Sequence, residues 1–524
     1  MNKLIIHSLC FFWPFFCLAQ KHDQNWVAGS SFTDTIYMIN FSDTGLAYIP
    51  IVPPIEQVRG SFGISDKEGK LQFYTNGNYI VSWNHVIMEN GDSLNLGAWT
   101  SQNNTFPDVK NSYMLYAYQV IPDGYDENVY YLIHSFMKLG KYPVDQVSTR
   151  LQITKIDMKE NKGLGRVIYK NKTLYSHELA CRFAVIRHGN GADWWILVRE
   201  LNGKKYHNLH LKQDSLIALT IQESSEGSEL DLDEIDSVYT CRLMCIASQN
   251  GQVLVDPIGS SLRRFYHFDR CTGDLEYVNS LFHERDTFFT PGGSGGPGGI
   301  DGMCFSPNGQ YLYGVTRGGY FQWDVEVPDI SASEVQLSGH PYDFDNPQNP
   351  HLHNIIMPFM KLGPDGRIFA LHSFTHNIVN DPDEKGQASN FCHAPDDTVS
   401  CLGVPYSFFT PMYPNYRLGP LEGSGCDTIS STHPLNEIQY ELKIYPNPAS
   451  GPVQIEISLH DYGRQDTELV IHDALGREVH RHRYPPYAYL HTWDTSNIPN
   501  GTYILQLFSD QQTVATNRVV VMRE

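Results

Sequence analysis

No stretch of this 524-residue chain is apolar for long enough to cross a membrane as a helix. The longest such run, Leu4 to Phe16, falls short of the roughly 20 residues a spanning helix needs. Apolar positions recurring every three to four residues are scarce as well, so the chain does not read as helical. Basic charge is in deficit: 38 lysines and arginines stand against 58 acids, a net charge of −20. A field of that sign repels phosphate backbones and anionic lipid, which argues against nucleic acid and membrane surfaces as partners. The pair Cys241-x3-Cys245 has no second closely spaced Cys or His pair beside it, so a zinc site is not expected there.

What the chain does have is tyrosine, 31 of them, and glycine, 42. Aromatics favour pleated, half-buried surfaces and glycine favours tight reversals, so the composition points to β-structure with many turns. At this length the chain can bury a large core and is expected to hold more than one domain. Its start has the parts of a secretory signal: Lys3, the apolar run, then Cys17-Leu18-Ala19 at the cleavage positions. Residues 1–19 are read as that signal, with Gln20 or Lys21 opening the mature chain. Bulky Phe16 stands where a lipoprotein needs a small residue ahead of Cys17, which argues against lipidation. Eight cysteines remain: Cys181, Cys241, Cys245, Cys271, Cys304, Cys392, Cys401 and Cys426. An even number in an oxidising compartment permits disulfides. Cys392 and Cys401 flank a polar Pro-Asp-Asp-Thr loop and could close it, whereas Cys241 and Cys245, on one strand, sit too far apart to bond each other.

Between residues 20 and 425 one plan recurs: strand, glycine turn, strand. Asp66-Lys67-Glu68-Gly69 leads into Lys70 to Tyr74, and Asn202-Gly203, Asn250-Gly251 and Thr272-Gly273 punctuate later strands. Ser306-Pro307-Asn308-Gly309 and Gly363-Pro364-Asp365-Gly366 are nearly identical turns, each followed by an apolar strand. Hairpins repeated every roughly 40–60 residues are what propeller blades look like in sequence. The expected fold is all-β: a β-propeller over 20–425, seven blades favoured by its length, then a small Ig-like β-sandwich over 440–524. One large irregular sandwich, or two stacked ones, is the competing architecture for the body. The segment 426–439 reads as a linker, because Ser424 to Pro434 is polar and poor in large apolar residues.

Chemical signatures are weak. Gly292-Gly293-Ser294-Gly295-Gly296 satisfies the serine hydrolase pattern, but Pro291 and Pro297 flank it and oppose the strand-to-helix elbow that the nucleophile requires. The same loop lacks the Gly-Lys-Ser/Thr ending of a phosphate cradle. His340, His351, His353 and His372 lie near Asp343, Asp345 and Asp381, yet their Asn-Pro-Gln-Asn-Pro surroundings read as loop, and 22 histidines make such pairs expected by chance. Glu223, Glu226, Glu229, Asp231, Asp233 and Glu234 read as a solvated loop rather than an acid–base pair. Tyr406, Phe408, Phe409, Tyr413 and Tyr416 could stack on sugars or grip a protein, although blade packing explains them more simply. Asp-Ser/Thr-aliphatic triplets at Asp34, Asp92, Asp214, Asp236, Asp397 and Asp427 resemble a bacterial O-glycosylation sequon. No catalytic residue, metal ligand or cofactor site is assigned.

The last segment opens Ile444-Tyr445-Pro446-Asn447-Pro448 and continues with alternating Val453, Ile455, Ile457 and Leu459. Leu469 to Val479 is a strand, a turn on Gly476 and a return, and Ile498-Pro499-Asn500-Gly501-Thr502-Tyr503 repeats the plan. This succession resembles the type A C-terminal sorting domain of the bacterial type IX secretion system, over roughly 440–524. The resemblance implies a Gram-negative source, export through the periplasm to the outer surface or medium, and partners in the secretion machinery and a sorting protease that cuts in the linker. The motif residues are Tyr445, Pro446, Asn447, Pro448, Asp473, Gly476, Val479, Pro499, Gly501 and Tyr503. The Met522-Arg523-Glu524 ending departs from the lysine-rich stub common in that family. The body is similar to an uncharacterised group of secreted propeller-like proteins with this tail, through Gly63 to Trp83, Asn161 to Gly165, His188 to Trp195, Phe268 to Gly273 and Pro414 to Leu421. That likeness implies architecture and no chemistry. The expected function is a secreted or surface propeller that binds a glycan or protein ligand without catalysis. The alternative is an exported polysaccharide hydrolase or lyase with its site in the propeller funnel. Acids and histidines converging on the axis would favour the enzyme; a funnel lined by neutral aromatics, or blocked by side chains, would favour binding.

Overall fold

The computed structural model describes residues 20–28, 36–42, 45–55, 62–95, 118–139, 146–180, 182–200, 205–223, 245–258, 262–283, 300, 302–316, 319–339, 359–371, 376–393, 401–402, 410–411, 413–427, 440–459, 467–484, 490–509 and 512–523. Seven antiparallel sheets follow one another along the body, over residues 25–51, 62–82, 118–179, 184–223, 246–282, 302–339 and 360–392. In each, consecutive strands pair in chain order, the first two sheets with three described strands and the rest with four. The first strands of the third to seventh sheets line one small central cavity, through Gln119, Ala184, Ile246, Met303 and Met360. The described sheets are therefore the blades of a seven-bladed β-propeller, the number that the length of the body favours. The ring closes where Trp26 and Phe41 of blade 1 meet Phe369 of blade 7, with ring centroids 5.3 and 5.6 Å apart.

A blade is covered on both faces by its neighbours, so its inner strands need not alternate. Blade 4 shows this: Ala184–Arg187 is buried throughout and Trp194–Arg199 nearly so, while the outermost strand, Ser215–Glu223, is mostly half-exposed. Four of the repeated turns join a blade's first strand to its second, whereas Thr272-Gly273 joins the third to the fourth in blade 5. Asn190, Asn250, Asn308 and Asp365 each turn the side-chain oxygen back onto a backbone N–H two residues on, at 2.9, 2.9, 2.9 and 3.2 Å. The glycine that follows takes a left-handed backbone, as at Gly309 (φ 83°) and Gly366 (φ 84°), which a side chain would resist.

After blade 7 the chain returns to the axis. Tyr413 and Tyr416 are buried there, and their hydroxyls donate to the backbone carbonyls of Asn25 (3.1 Å) and Val120 (2.7 Å). The Asn415 amide donates to the Gln249 carbonyl at 2.8 Å, and Arg417 pairs with Asp23 at 3.0 Å. The strand-less segment 413–427 thus plugs the channel and leaves a cavity of about 70 Å³. It then runs outward to blade 5, where Cys426 is disulfide-bonded to Cys271. Cys426, the first residue of the segment 426–439 read as linker, is thus covalently tied to the body, and Gly423 N–H bonds the Asp427 carboxylate at 2.9 Å. The second disulfide, Cys392–Cys401, closes the loop expected of it. Cys245 and Cys304 are free thiols, and Cys181 and Cys241 lie outside the described residues.

The C-terminal strands form a β-sandwich. Tyr440–Tyr445, Val453–Leu459 and Leu490–Trp493 make one sheet, and Glu478–Tyr484, Thr467–His472, Gly501–Ser509 and Gln512–Val521 the other. Val453 and Ile455 from one sheet and Tyr503, Leu505 and Leu507 from the other share a buried core, as expected, while the side chains of Ile457 and Leu459 lie outside the described ones.

Two stability outcomes follow. The Cys271–Cys426 bridge spans 155 residues and the Cys392–Cys401 bridge only 9, so chain entropy assigns them about 5 and about 2.5 kcal/mol. Denaturant midpoints of Cys271→Ala and Cys392→Ala should rank in that order; equal losses would show that the plug does not depend on its tether. Tyr416→Phe should cost about 1–2 kcal/mol by leaving the buried Val120 carbonyl without its donor, which the same melts measure.

Candidate functional site: the rim cavity and the C-terminal sandwich

A concavity of about 650 Å³ opens where blades 4 and 5 meet the end of the plug. The turn His188-Gly189-Asn190-Gly191-Ala192-Asp193 forms one wall and Asp269 to Thr272 another, with Ser424 to Cys426 beside them. Close approach explains the glycines: a Cβ on Gly189 would sit 2.3 Å from the Cys426 sulfur, and one on Gly191 would sit 2.9 Å from the Pro420 ring.

The titratable groups lining this cavity are already committed to one another. Asn190 N–H donates to His188 Nδ1 at 3.0 Å, so Nε2 carries the proton and donates to the Cys271 carbonyl at 3.1 Å. Asp193 accepts from the Tyr125 hydroxyl (2.9 Å), the Asn190 amide (2.8 Å) and His210 Nε2 (3.2 Å). Burial opposes its charge, but these hydrogen bonds outweigh burial and hold the carboxyl below the usual carboxylate range. The His188 and His210 rings stack at 4.2 Å, with Trp195 at 4.7 Å from His210. Burial, aided by the neighbouring His210, lowers His188 to about 4, so it is neutral at ordinary pH. The network fastens the turn. Towards solvent the cavity offers Tyr125, 42% exposed, with the Lys212 ammonium 5.4 Å from its ring. A second depression, about 540 Å³, adjoins it and is edged by Asp123, Asp126, Glu127, Lys67 and Lys159.

In the C-terminal sandwich the motif residues prove to be fasteners. The Asn447 amide donates to the Arg518 carbonyl and its oxygen accepts from Val520 N–H, both at 2.9 Å, so the Tyr-Pro-Asn-Pro entry is stitched to the last strand. Ala449 continues the stitch by bonding Val520 and Met522. Asp473 accepts from the backbone N–H groups of Leu475 and Arg477 at 2.9 Å, shaping the turn that Gly476 (φ 77°) completes. Tyr503 is buried with its hydroxyl on the Pro499 carbonyl at 2.8 Å, and Gly501 opens that strand. Tyr445 and Val479 are partly exposed, at 45% and 37%. Arg523, in the unusual ending, donates to the carbonyls of Thr495, Ser496 and Ile498, closing the far turn.

The family model for the secretion system C-terminal sorting domain matches residues 443–522. The C-terminal sandwich is a type IX sorting domain. The chain is thereby addressed to the cell surface or the medium, and among the described residues no helix is long and apolar enough to cross a membrane. No curated protein matches the chain. Similar solved structures include the extracellular domain of a putative hybrid two-component system of B. thetaiotaomicron, at 11% identity and a TM-score of 0.36, covering 96% of this chain and 56% of that one. A functionally unknown protein of Desulfotomaculum acetoxidans shares 11% identity at a TM-score of 0.34, covering 58% of this chain and 81% of its own. The Swd1 β-propeller domain of Myceliophteria thermophila shares 8% at 0.29, covering 60% and 94%. At such scores these likenesses carry no argument, and the propeller assignment rests on the seven sequential sheets.

Of the other residues singled out in sequence, Tyr413 and Tyr416 are plug residues rather than exposed sugar platforms. Asp381 accepts from the Asn390 amide at 3.0 Å and fastens a turn. Glu223 ends a strand, Asp92 pairs with Lys170 at 3.0 Å, and Asp214 accepts from the Tyr169 hydroxyl at 2.8 Å. Ser294, His340, His351, His353, His372, Asp343, Asp345, Glu226, Glu229, Asp231, Asp233, Glu234, Tyr406, Phe408, Phe409, Asp34, Asp236 and Asp397 lie outside the described residues, as do residues 1–19. The rim cavity was not foreseen. Its signal in sequence was the His188 to Trp195 segment, legible as a turn but not as the wall of a cleft.

Burial lowers the histidines of the body: His22, His188 and His376 to about 4 and His134 to about 3. In the unfolded chain each takes up its proton near pH 6.5. Stability should therefore be complete above about pH 6.5 and fall progressively as the pH drops toward 4, because the unfolded state binds more protons across that window. Urea midpoints read at intervals through this range check the sign; a midpoint that rises on acidification would contradict it.

Proposed function

We propose that this protein is a secreted or outer-surface β-propeller, delivered by the type IX machinery of a Gram-negative bacterium, that binds a glycan or protein ligand without catalysis. The observation that carries this reading is the filled axis. Tyr413, Asn415, Tyr416 and Arg417 occupy the channel in which a funnel enzyme would place its substrate. Away from the axis, the rim cavity between blades 4 and 5 and the depression beside it are recesses of ligand size, and the rim cavity's His188, His210 and Asp193 hold a turn. An exposed tyrosine beside a lysine suits stacking on a sugar face or packing against a protein side chain. The alternative, a polysaccharide hydrolase or lyase, loses the funnel as its site. The net charge of −20 disfavours nucleic acid.

Residues 1–19 serve as the export signal in this reading, and the sorting protease cuts beyond Asp427, because the disulfide at Cys426 ties everything before it to the body. Screening the mature chain on a glycan array and against polysaccharide-degradation substrates tests the function. Binding abolished by Tyr125→Ala or Lys212→Ala, with no product released, is expected; turnover of any polysaccharide would establish the alternative. Deleting 440–524 should trap a folded, protease-resistant body in the periplasm, because the sandwich core of the tail is built from its own residues. Normal arrival of that truncated chain at the surface would overturn the export role.

A further inference from the structure

A second cluster sits at the joint between blades 3 and 4, away from the rim cavity. His177 lies on the outermost strand of blade 3, Arg166–Leu179; Glu200 directly follows the second strand of blade 4, Trp194–Arg199; His207 lies on the third, Lys205–Lys212. An antiparallel bridge between Leu179 and Glu200 brings the two blades together at this point. Glu200 Oε1 stands 3.0 Å from His207 Nε2 and 3.8 Å from His177 Nε2, and the three ligand atoms all lie within 4.8 Å of one another. Donors on a tetrahedral zinc ion with bonds of about 2.0–2.1 Å are about 3.3–3.4 Å apart, so the observed separations straddle the required value.

The far nitrogens decide what these rings offer. His177 Nδ1 lies 3.2 Å from the Glu178 carbonyl, which only accepts, so Nδ1 carries a proton and Nε2 is the ring atom that faces the Glu200 carboxylate. His207 Nδ1 is 2.6 Å from the Tyr175 hydroxyl, which can donate or accept. Without metal, His207 Nε2–H donates to Glu200; with metal, that proton resides on Nδ1 and is donated to the Tyr175 oxygen, so no net charge changes on the ring. A metal-bound histidine whose other nitrogen is held by a polar partner is the usual arrangement. His207 is fully buried while His177 and Glu200 remain 28% and 14% exposed, which leaves an approach from solvent.

The geometry points to a divalent transition-metal site, of zinc type, formed by His177, Glu200 and His207 and clasping blade 3 to blade 4. Two imidazoles and a carboxylate suit zinc, with a water in the fourth position. The bound ion stabilises the joint, because it binds the folded arrangement and not the separated strands.

The full-length mature chain, stripped with a chelator, should take up one tight equivalent of Zn²⁺ by calorimetry and melt at a higher temperature when loaded. Co²⁺ should give the intense d–d absorption of a four-coordinate site. His177→Gln and Glu200→Gln should each weaken Zn²⁺ binding by roughly tenfold or more, and Tyr175→Phe by about tenfold. His480→Gln, in the tail, should leave binding unchanged. His177 is on the exposed side of the cluster, so His177→Gln decides the matter if Glu200→Gln fails to fold. Absence of tight binding to the unaltered chain would overturn the site, as would a folded His177→Gln variant that binds as tightly as the parent.

Discussion

A closed ring of blades has a problem at its axis. The first strand of every blade pairs on one side only, so its other edge presents backbone carbonyls and amides to the centre, where the ring shuts out water. Here the chain answers with a segment of its own. Tyr413, Asn415 and Tyr416 are donors set on consecutive turns of irregular backbone, and each reaches a carbonyl of a different blade, at Asn25, Gln249 and Val120. The carbonyls are satisfied, the channel is filled, and blades 1, 3 and 5 are bound to a common centre. The Lys361 ammonium on blade 7 adds a bond to the Tyr413 carbonyl, which brings a fourth blade in.

The same segment shapes the outer cavity. Leaving the axis, it passes under Arg270, whose guanidinium holds the carbonyls of Arg187, His188 and Gly419 together. Leu421 N–H then bonds the Gly189 carbonyl at 2.7 Å before the disulfide ends the path. The cleft wall and the plug are therefore one mechanical unit. A ligand gripping the rim would load a segment anchored at the axis at one end and by a covalent bond at the other, which gives the cavity a rigid back.

Much of this was legible. The Asn-Gly and Asp-Gly turns carried the propeller architecture, because their chemistry is local, while the length of the body carried the blade count. The sorting domain was legible for the same reason: Asn447, Asp473 and Tyr503 bond groups that their own short motifs or an adjacent strand supply. The plug was half legible. Pro414 to Leu421 stood out as a segment, but its partners are more than 150 residues away in sequence at Asn25, Val120 and Gln249, and no local pattern encodes them. Cys426 shows the limit most clearly. Polar neighbours made it look like linker, and only the position of Cys271 on the far side of blade 5 makes it part of the body.

Tyrosine abundance had a further meaning that composition alone does not reveal. It signals β-structure through the aromatic ring, yet the hydroxyl is what the joints between blades use. Tyr125 reaches Asp193 across the joint of blades 3 and 4, Tyr206 reaches Asp256 across blades 4 and 5 at 2.6 Å, and Asn377 donates to Tyr320 across blades 7 and 6 at 2.7 Å. A ring that buries apolar area while carrying one polar atom at its tip can sit between two sheets and still satisfy a group on the far side. At the joint of blades 7 and 1, Trp26 and Phe41 meet Phe369 edge to face, and the Tyr48 hydroxyl of blade 1 donates to the Leu402 carbonyl at 3.3 Å. Polar joints fix the register of neighbouring blades, because a shift of one residue would strand a buried donor.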